Sequence, residues 1–152
     1  MKSLKSSMLA LSLMLALMIG ITAPAAQAAD AAKPGLFVSI TTDDTWAATK
    51  AIMFAHKKAL KNGFDPVAIW LNVRGVYLAD KKRPSHTHGL MKQNIQEMLQ
   101  AFIKDGGTVY MCQACSKAAG LKLEDYIDGV KMGSADVMLG LLANPNVKTL
   151  TW

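Results

Sequence analysis

The chain has 152 residues, 51% hydrophobic and 18% charged, with 17 Lys and Arg against 11 Asp and Glu and a formal net charge of +6. That length suits one domain able to bury its own core without a disulfide staple. The basic excess is mild and scattered, too diffuse to argue for nucleic acid.

Residues 1–28 read as a secretory signal peptide. Lys2 and Lys5 form a basic start, MLALSLMLALMIGI (8–21) is an uncharged apolar stretch, and Ala26-Gln27-Ala28 fits an A-x-A cleavage site. The apolar stretch falls short of the ~20 residues of a spanning helix. Cleavage near Ala28 or Ala29 is expected, with a retained N-terminal anchor the weaker alternative. Loss of Lys2 and Lys5 lowers the net charge from +6 to +4. The expected destination is the bacterial periplasm, with no membrane attachment after cleavage.

A leader (29–34) precedes one expected domain (35–152). GLFVSIT (35–41) reads as a buried strand. In the next segment (42–63), Asp43 and Asp44 are candidate N-caps, Ala48, Ile52, Ala55 and Ala59 share one face, and Lys57, Lys58 and Lys61 precede a stop at Gly63. These features predict a helix whose charges match its dipole. PVAIWLN (66–72) reads as a second strand, VRGVYLAD (73–80) as a short helix or irregular structure, and KKRPSHTHG (81–89) as a polar loop. Met91, Ile95, Met98 and Phe102 form a stripe that predicts a helix from about Leu90 to Lys104, and TVYMC (108–112) is a third strand. A short helix to Gly120, a helical turn and short strand within 123–134, a helix over 134–144 capped by Ser134 or Asp136, and a last strand at 147–152 complete the chain.

Strands alternating with helices over short loops imply a mainly parallel sheet covered on both faces. In such sheets ligands bind beyond the carboxyl ends of the strands. Thr41–Asp44, Asn72–Val76 and Cys112–Cys115 all follow strands and should gather at one edge.

The cysteines form a C-x-x-C pair, Cys112 and Cys115, where the third strand becomes a helix. A helix start stabilises a thiolate, and Cys115 would lie one turn away, able to resolve an oxidised or persulfide form of Cys112. A passive disulfide, a redox couple, or a Cys2His2 metal clamp with His86 and His88 are the alternatives. A thioredoxin-like dithiol fits poorly, since Met111 stands where tryptophan usually precedes the first cysteine. Asp43 and Asp44 are explained by capping, Lys81, Lys82 and Arg83 by a solvated loop, Met91 and Met98 by core packing, and His56 by a surface or half-buried helix position. Trp46, Trp70 and Trp152 are expected to pack or to lie in a subunit interface. No phosphate loop, G-x-G-x-x-G or Ser-His-Asp arrangement is present, and neither a metal nor a cofactor is assigned.

The stretches VSITTDDTWAATKAIMFAHKKAL (38–60), VAIWLNVRGVYLAD (67–80), HGLMKQNIQEMLQAFIKDGGTVYMCQACSKAAGL (88–121) and VKTLTW resemble the DsrE/DsrF-like family, which includes YchN-type proteins and the TusD subunit of a tRNA sulfur relay. The most specific match is a strand-end cysteine followed eight residues later by glycine, Cys112 and Gly120. The resemblance implies a flavodoxin-like three-layer α/β/α sandwich with a mainly parallel five-stranded sheet, and a homo-oligomer, trimer or hexamer. It also implies a sulfur-accepting role for Cys112, with a sulfur donor or acceptor protein or a small sulfur anion as partner. Cys115 departs from the relay pattern and suggests resolving or thiol–disulfide chemistry. The signal peptide departs too, since a periplasmic relative cannot serve tRNA thiolation. A periplasmic sulfur carrier of sulfurtransferase type is the expectation. Cys112 and Cys115 are its reactive residues, and Asn72, Arg74 and His88 are candidates for holding the anionic sulfur.

Overall fold

The computed structural model describes residues 33–152; the expected signal peptide and most of the leader lie outside the described residues. Five strands, β1 (Gly35–Ile40), β2 (Val67–Leu71), β3 (Thr108–Cys112), β4 (Lys131–Gly133) and β5 (Val147–Thr151), form one sheet in the order β4-β3-β2-β1-β5. Every neighbouring pair is parallel. The fold is the α/β sandwich expected, with four α-helices among the described residues: α1 (Thr45–Met53), α2 (Ile95–Lys104), α3 (Gln113–Ala118) and α4 (Ala135–Ala143).

The order follows from chirality. Right-handed crossovers march β1 to β4 in one direction, and the chain then returns across the sheet to place β5 beside β1. The two faces therefore have separate cores. Leu36, Val38, Ile40, Val67, Ile69, Leu71, Val109 and Met111 pack with α1 and α2 on one face. On the other, Phe37, Ala68 and Val147 pack with Met138 of α4, joined by Trp70, Tyr110 and Leu141. Alternation along each strand assigns its residues to these faces.

Local chemistry sets the helix ends. Asp44 Oδ1 accepts the Ala47 N–H at 2.8 Å and caps α1. Beyond Met53 the helix continues through a wider π segment (Phe54–Ala59) and a 3-10 turn (Leu60–Asn62), stopping at Gly63 with φ 84°. The helix expected from Leu90 starts later, at Ile95. Asn94 and Glu97 close a reciprocal capping box there, so Met91 lies in the preceding turn and Leu90 is exposed. Residues 73–79 form a 3-10 helix, and the short strand anticipated near Val130 begins at Lys131.

His56 is buried, not on the surface. Its ring meets Phe102 edge-on with centroids 5.8 Å apart, and its Nε2 lies 2.6 Å from Asp105 Oδ2, just past α2. Lys61 Nζ reaches the same oxygen at 2.8 Å. Lys61 and His56 together hold the Asp105 carboxyl down at about 2. A carboxylate depressed in the folded state stabilises fully above its unfolded value and loses that contribution as pH falls through the folded one. Asp105→Asn should thus be less stable than the parent in urea melts at about pH 6, the gap closing between about pH 4 and 2; a gap that persists at the acid end would remove this role.

Gly75 positions the cysteine edge. A Cβ there would lie 2.3 Å from the Ile40 carbonyl oxygen, so only glycine lets the 73–79 helix seat on the end of β1. Gly75→Ala should cost about 1–3 kcal/mol by overpacking, read as a lower urea midpoint; an unchanged midpoint would show that the contact relaxes freely.

Candidate functional site

At the carboxyl end of the sheet, neighbouring strands send their helices to opposite faces. The chain leaves β3 into α3, whose Cys115, with Ala119 just past its end, packs on the α1/α2 side, whereas α4, following β4, covers the other side. Such a reversal leaves an uncovered crevice between the two strand ends. A groove of about 460 Å³ lies here, lined by Trp70, Cys112, Gln113, Ser134, Met138 and Leu142 among others. The strand-end cysteine thus stands in the crevice that topology provides.

Cys112 is the N-cap of α3. Its Sγ accepts the Cys115 N–H at 3.3 Å, as a serine or aspartate oxygen would. Cys115 Sγ accepts a backbone N–H from across the sheet edge, that of Val73, at 3.1 Å. Both cysteines are free thiols and partly buried. The expected lowering of the Cys112 pKa is reversed. Burial pushes the Cys112 thiol up and the adjacent Cys115 sulfur adds to the rise, while the N–H groups of Cys115 and Ala114 pull only partly back.

The first turn of α3 is anchored from below. Ser116, 1% exposed, donates through Oγ to the Cys112 carbonyl at 2.8 Å, and Tyr126 Oη donates to Ser116 Oγ at 2.7 Å. Burial keeps the Tyr126 hydroxyl protonated and so a donor. This chain was not anticipated from sequence, although a serine four residues after a capping residue is a position for bonding back to its carbonyl. Gly120, at φ 71°, ends the α3 segment in a conformation glycine favours.

Val73 is the other unanticipated contributor. Its φ of 50° is left-handed, a conformation that costs a β-branched residue about 1–2 kcal/mol. Its side chain is 58% exposed, so packing does not impose the strain. Main-chain bonds on both sides do, from Asn72 N–H to the Ile40 carbonyl at 3.0 Å and from Arg74 N–H to the Thr41 carbonyl at 3.1 Å.

The three residues expected to hold an anionic sulfur have other partners. Asn72 is buried and donates to Ser39 Oγ at 2.9 Å, tying β2 to β1. Arg74 makes a two-pronged bond to Asp43, at 2.9 and 2.8 Å, and Arg83 reaches the same carboxylate at 3.0 Å. Asp43 is thus not a cap, and the Arg74 bond leads in holding its carboxyl below the usual range. His88 accepts the Met91 N–H at 3.3 Å through Nδ1 and packs against Trp46, which is largely exposed. His86 and His88 line a separate hollow with Trp46, so the Cys2His2 arrangement is not assembled. Among the described residues no three His, Cys, Asp or Glu side chains converge on a metal-sized site.

A second cleft, about 210 Å³, is lined by Asp43, Tyr77, Arg83, Ser85, His86 and Gln96. Its charges are spent on one another: Arg83 pairs with Asp43 and lies over the Tyr77 ring at 4.5 Å. Lys82 and Lys81 likewise pair with Asp125 and Asp128, so the basic loop is a latch instead of a free cationic face.

The architecture is shared with solved proteins. YchN from E. coli superposes with a TM-score of 0.62 at 19% identity, covering 79% of this chain and 99% of that one. MTH1491 from Methanobacterium thermoautotrophicum gives 0.60 at 13% identity, covering 79% and 100%. In sequence, the uncharacterized protein MJ0989 of Methanocaldococcus jannaschii is 38% identical over 104 residues, 67% of this chain and 85% of its own length. MK0008 of Methanopyrus kandleri is also 38% identical, over 71 residues, 46% of this chain and 54% of its own. Residues 35–151, from the first residue of β1 to the last of β5, match the DsrE/DsrF-like family, and the chain belongs to it.

Proposed function

We propose that the protein is a periplasmic sulfur carrier that holds sulfane sulfur as a persulfide on Cys112 and uses Cys115 to release it. Family membership supports a role related to sulfur relay. The observation that carries the residue assignment is the pair of free thiols at the strand-end crevice, each sulfur accepting a main-chain N–H.

The Cys112 thiol first loses its proton to solvent. Its sulfur then attacks the outer sulfur of a donor persulfide, R–S–SH, forming an S–S bond and expelling R–S⁻. Attack on that outer sulfur by an acceptor thiolate hands it on and returns Cys112 as thiolate. Alternatively, Cys115 thiolate attacks the inner sulfur. A Cys112–Cys115 disulfide forms, hydrosulfide leaves with the bonding electrons, and an external dithiol must reduce the pair before another cycle. Burial of Cys112 lowers its thiolate fraction at neutral pH, but a less acidic thiol is the stronger nucleophile once ionised.

The periplasmic setting rests on residues 1–28 as a signal peptide and is tested by the mass and compartment of the mature chain. A homo-oligomer is supported by α4, whose Leu139 and Leu142 are 61% and 51% exposed beside the groove. Light scattering of the mature chain reads its assembly.

Incubating reduced protein with a low-molecular-weight persulfide should add one sulfur, about 32 Da, in Cys115→Ser, where release is blocked. Cys112→Ser should add none at that site, and the parent should liberate hydrosulfide while losing two hydrogens. If the parent only loses two hydrogens and Cys115→Ser gains no sulfur, the pair is a thiol–disulfide redox couple and the carrier reading fails.

A further inference from the structure

The reactive pair is treated unequally by the fold. The N–H that caps Cys112 Sγ comes from Cys115, within the same helical turn. The N–H on Cys115 Sγ comes from another strand end, at a residue strained to deliver it. We infer that the Val73 main-chain N–H is the positioning donor that sets Cys115 as the attacking thiolate of the pair, the sulfur whose negative charge the protein is built to hold. The inference rests on the carrier reading above for its role in sulfur release, but the donor's effect on Cys115 stands apart from any persulfide.

Three observations converge on it. The bond, at 3.1 Å, spans 42 residues and joins the ends of β2 and β3, so it reflects tertiary design and not local helix geometry. Val73 holds a left-handed backbone at the point where its N–H meets the sulfur, and the strain persists because Asn72 and Arg74 are fastened to the end of β1. Among the described residues, the hydrogen bonds to the two sulfurs from outside the pair's own side chains are main-chain ones, since Arg74, the next residue along, is committed to Asp43. A fixed dipole in a partly buried site stabilises an anion without reorganising. The charged and titratable groups around the pair are few. Around Cys115 they are the Cys112 thiol beside it, Tyr126 behind Ser116, and the Arg74–Asp43 pair following Val73. Acting as attacking thiolate, Cys115 forms the bond to the Cys112 inner sulfur while hydrosulfide departs from it, and the Val73 N–H loses its charged partner as the disulfide forms.

The test measures alkylation of Cys115 by iodoacetamide against pH in a Cys112→Ser background, which needs no sulfane sulfur and so is independent of persulfide uptake. Val73→Pro removes the N–H and forbids a positive φ. It should raise the pH midpoint of alkylation by about one unit and slow the reaction near neutrality by about tenfold. Val73→Gly keeps the donor and the backbone conformation and should bring the midpoint back to that of the parent background. A Val73→Pro midpoint matching that background, or a Val73→Gly midpoint displaced as far as that of Val73→Pro, overturns the assignment. Should Val73→Pro not fold, the Val73 amide resonance of Cys112→Ser decides. It should move with the midpoint of Cys115 alkylation and lose that step in the double Cys112→Ser, Cys115→Ser chain, and an amide that does not respond refutes the bond's role.

Discussion

The change of face between β3 and β4 is the constraint from which the cysteine edge follows. Parallel strands need crossover helices, and so long as successive helices lie on one side they cover the strand ends they leave. Here α3 turns to the α1/α2 side and α4 to the other, so the ends of β3 and β4 are left between two diverging helices. Cys112 is the last residue of β3 and Ser134 follows the last residue of β4, with Cys112 in register with Gly133. The groove, its apolar wall from α4 and the thiol at its floor are consequences of that one reversal.

Within the crevice two electrostatic effects oppose each other. Partial burial penalises a bare thiolate, and it dominates at Cys112. Backbone N–H groups act against it, supplied by the first turn of α3 and by the strained turn after β2. No cationic side chain bonds either sulfur among the described residues, although Arg74 and Arg83 lie at the same end of the sheet, because Asp43 takes both. The proposed carrier role, which requires release as well as uptake of sulfur, is served by this arrangement. A fixed lysine or arginine would hold an anion more firmly than a single main-chain dipole.

Much of this was legible in the sequence because it rests on local pattern. Buried β-branched runs marked β1 and β2, the Asp44 cap and Gly63 stop bounded the first helix, and strand–helix alternation led to a parallel sheet with the cysteines at its carboxyl edge. Most of what was misplaced is a side chain already captured by a partner. Asp43 looked like a cap but bridges two arginines, His56 looked superficial or half-buried but is drawn fully inward by Asp105 and Phe102, and Arg74 and His88 looked free to meet sulfur but are already bonded. The start of α2 was missed for a local reason, the Asn94–Glu97 box outweighing an apolar stripe that includes Met91. Val73 carried no signal at all, since nothing in a β-branched residue announces a left-handed backbone.

The Val73–Cys115 bond also bears on when the chain acquires its chemistry. The contact between the cysteines forms within one helical turn, whereas the one to Val73 closes a 42-residue loop that contains α2 and all of β3. Every ladder of the sheet is parallel, so no hairpin brings these segments together early, and long-range pairing is the slow part of folding. A nascent chain therefore carries an ordinary, solvated C-x-x-C, and its second sulfur is furnished with a donor only once β2 and β3 have docked.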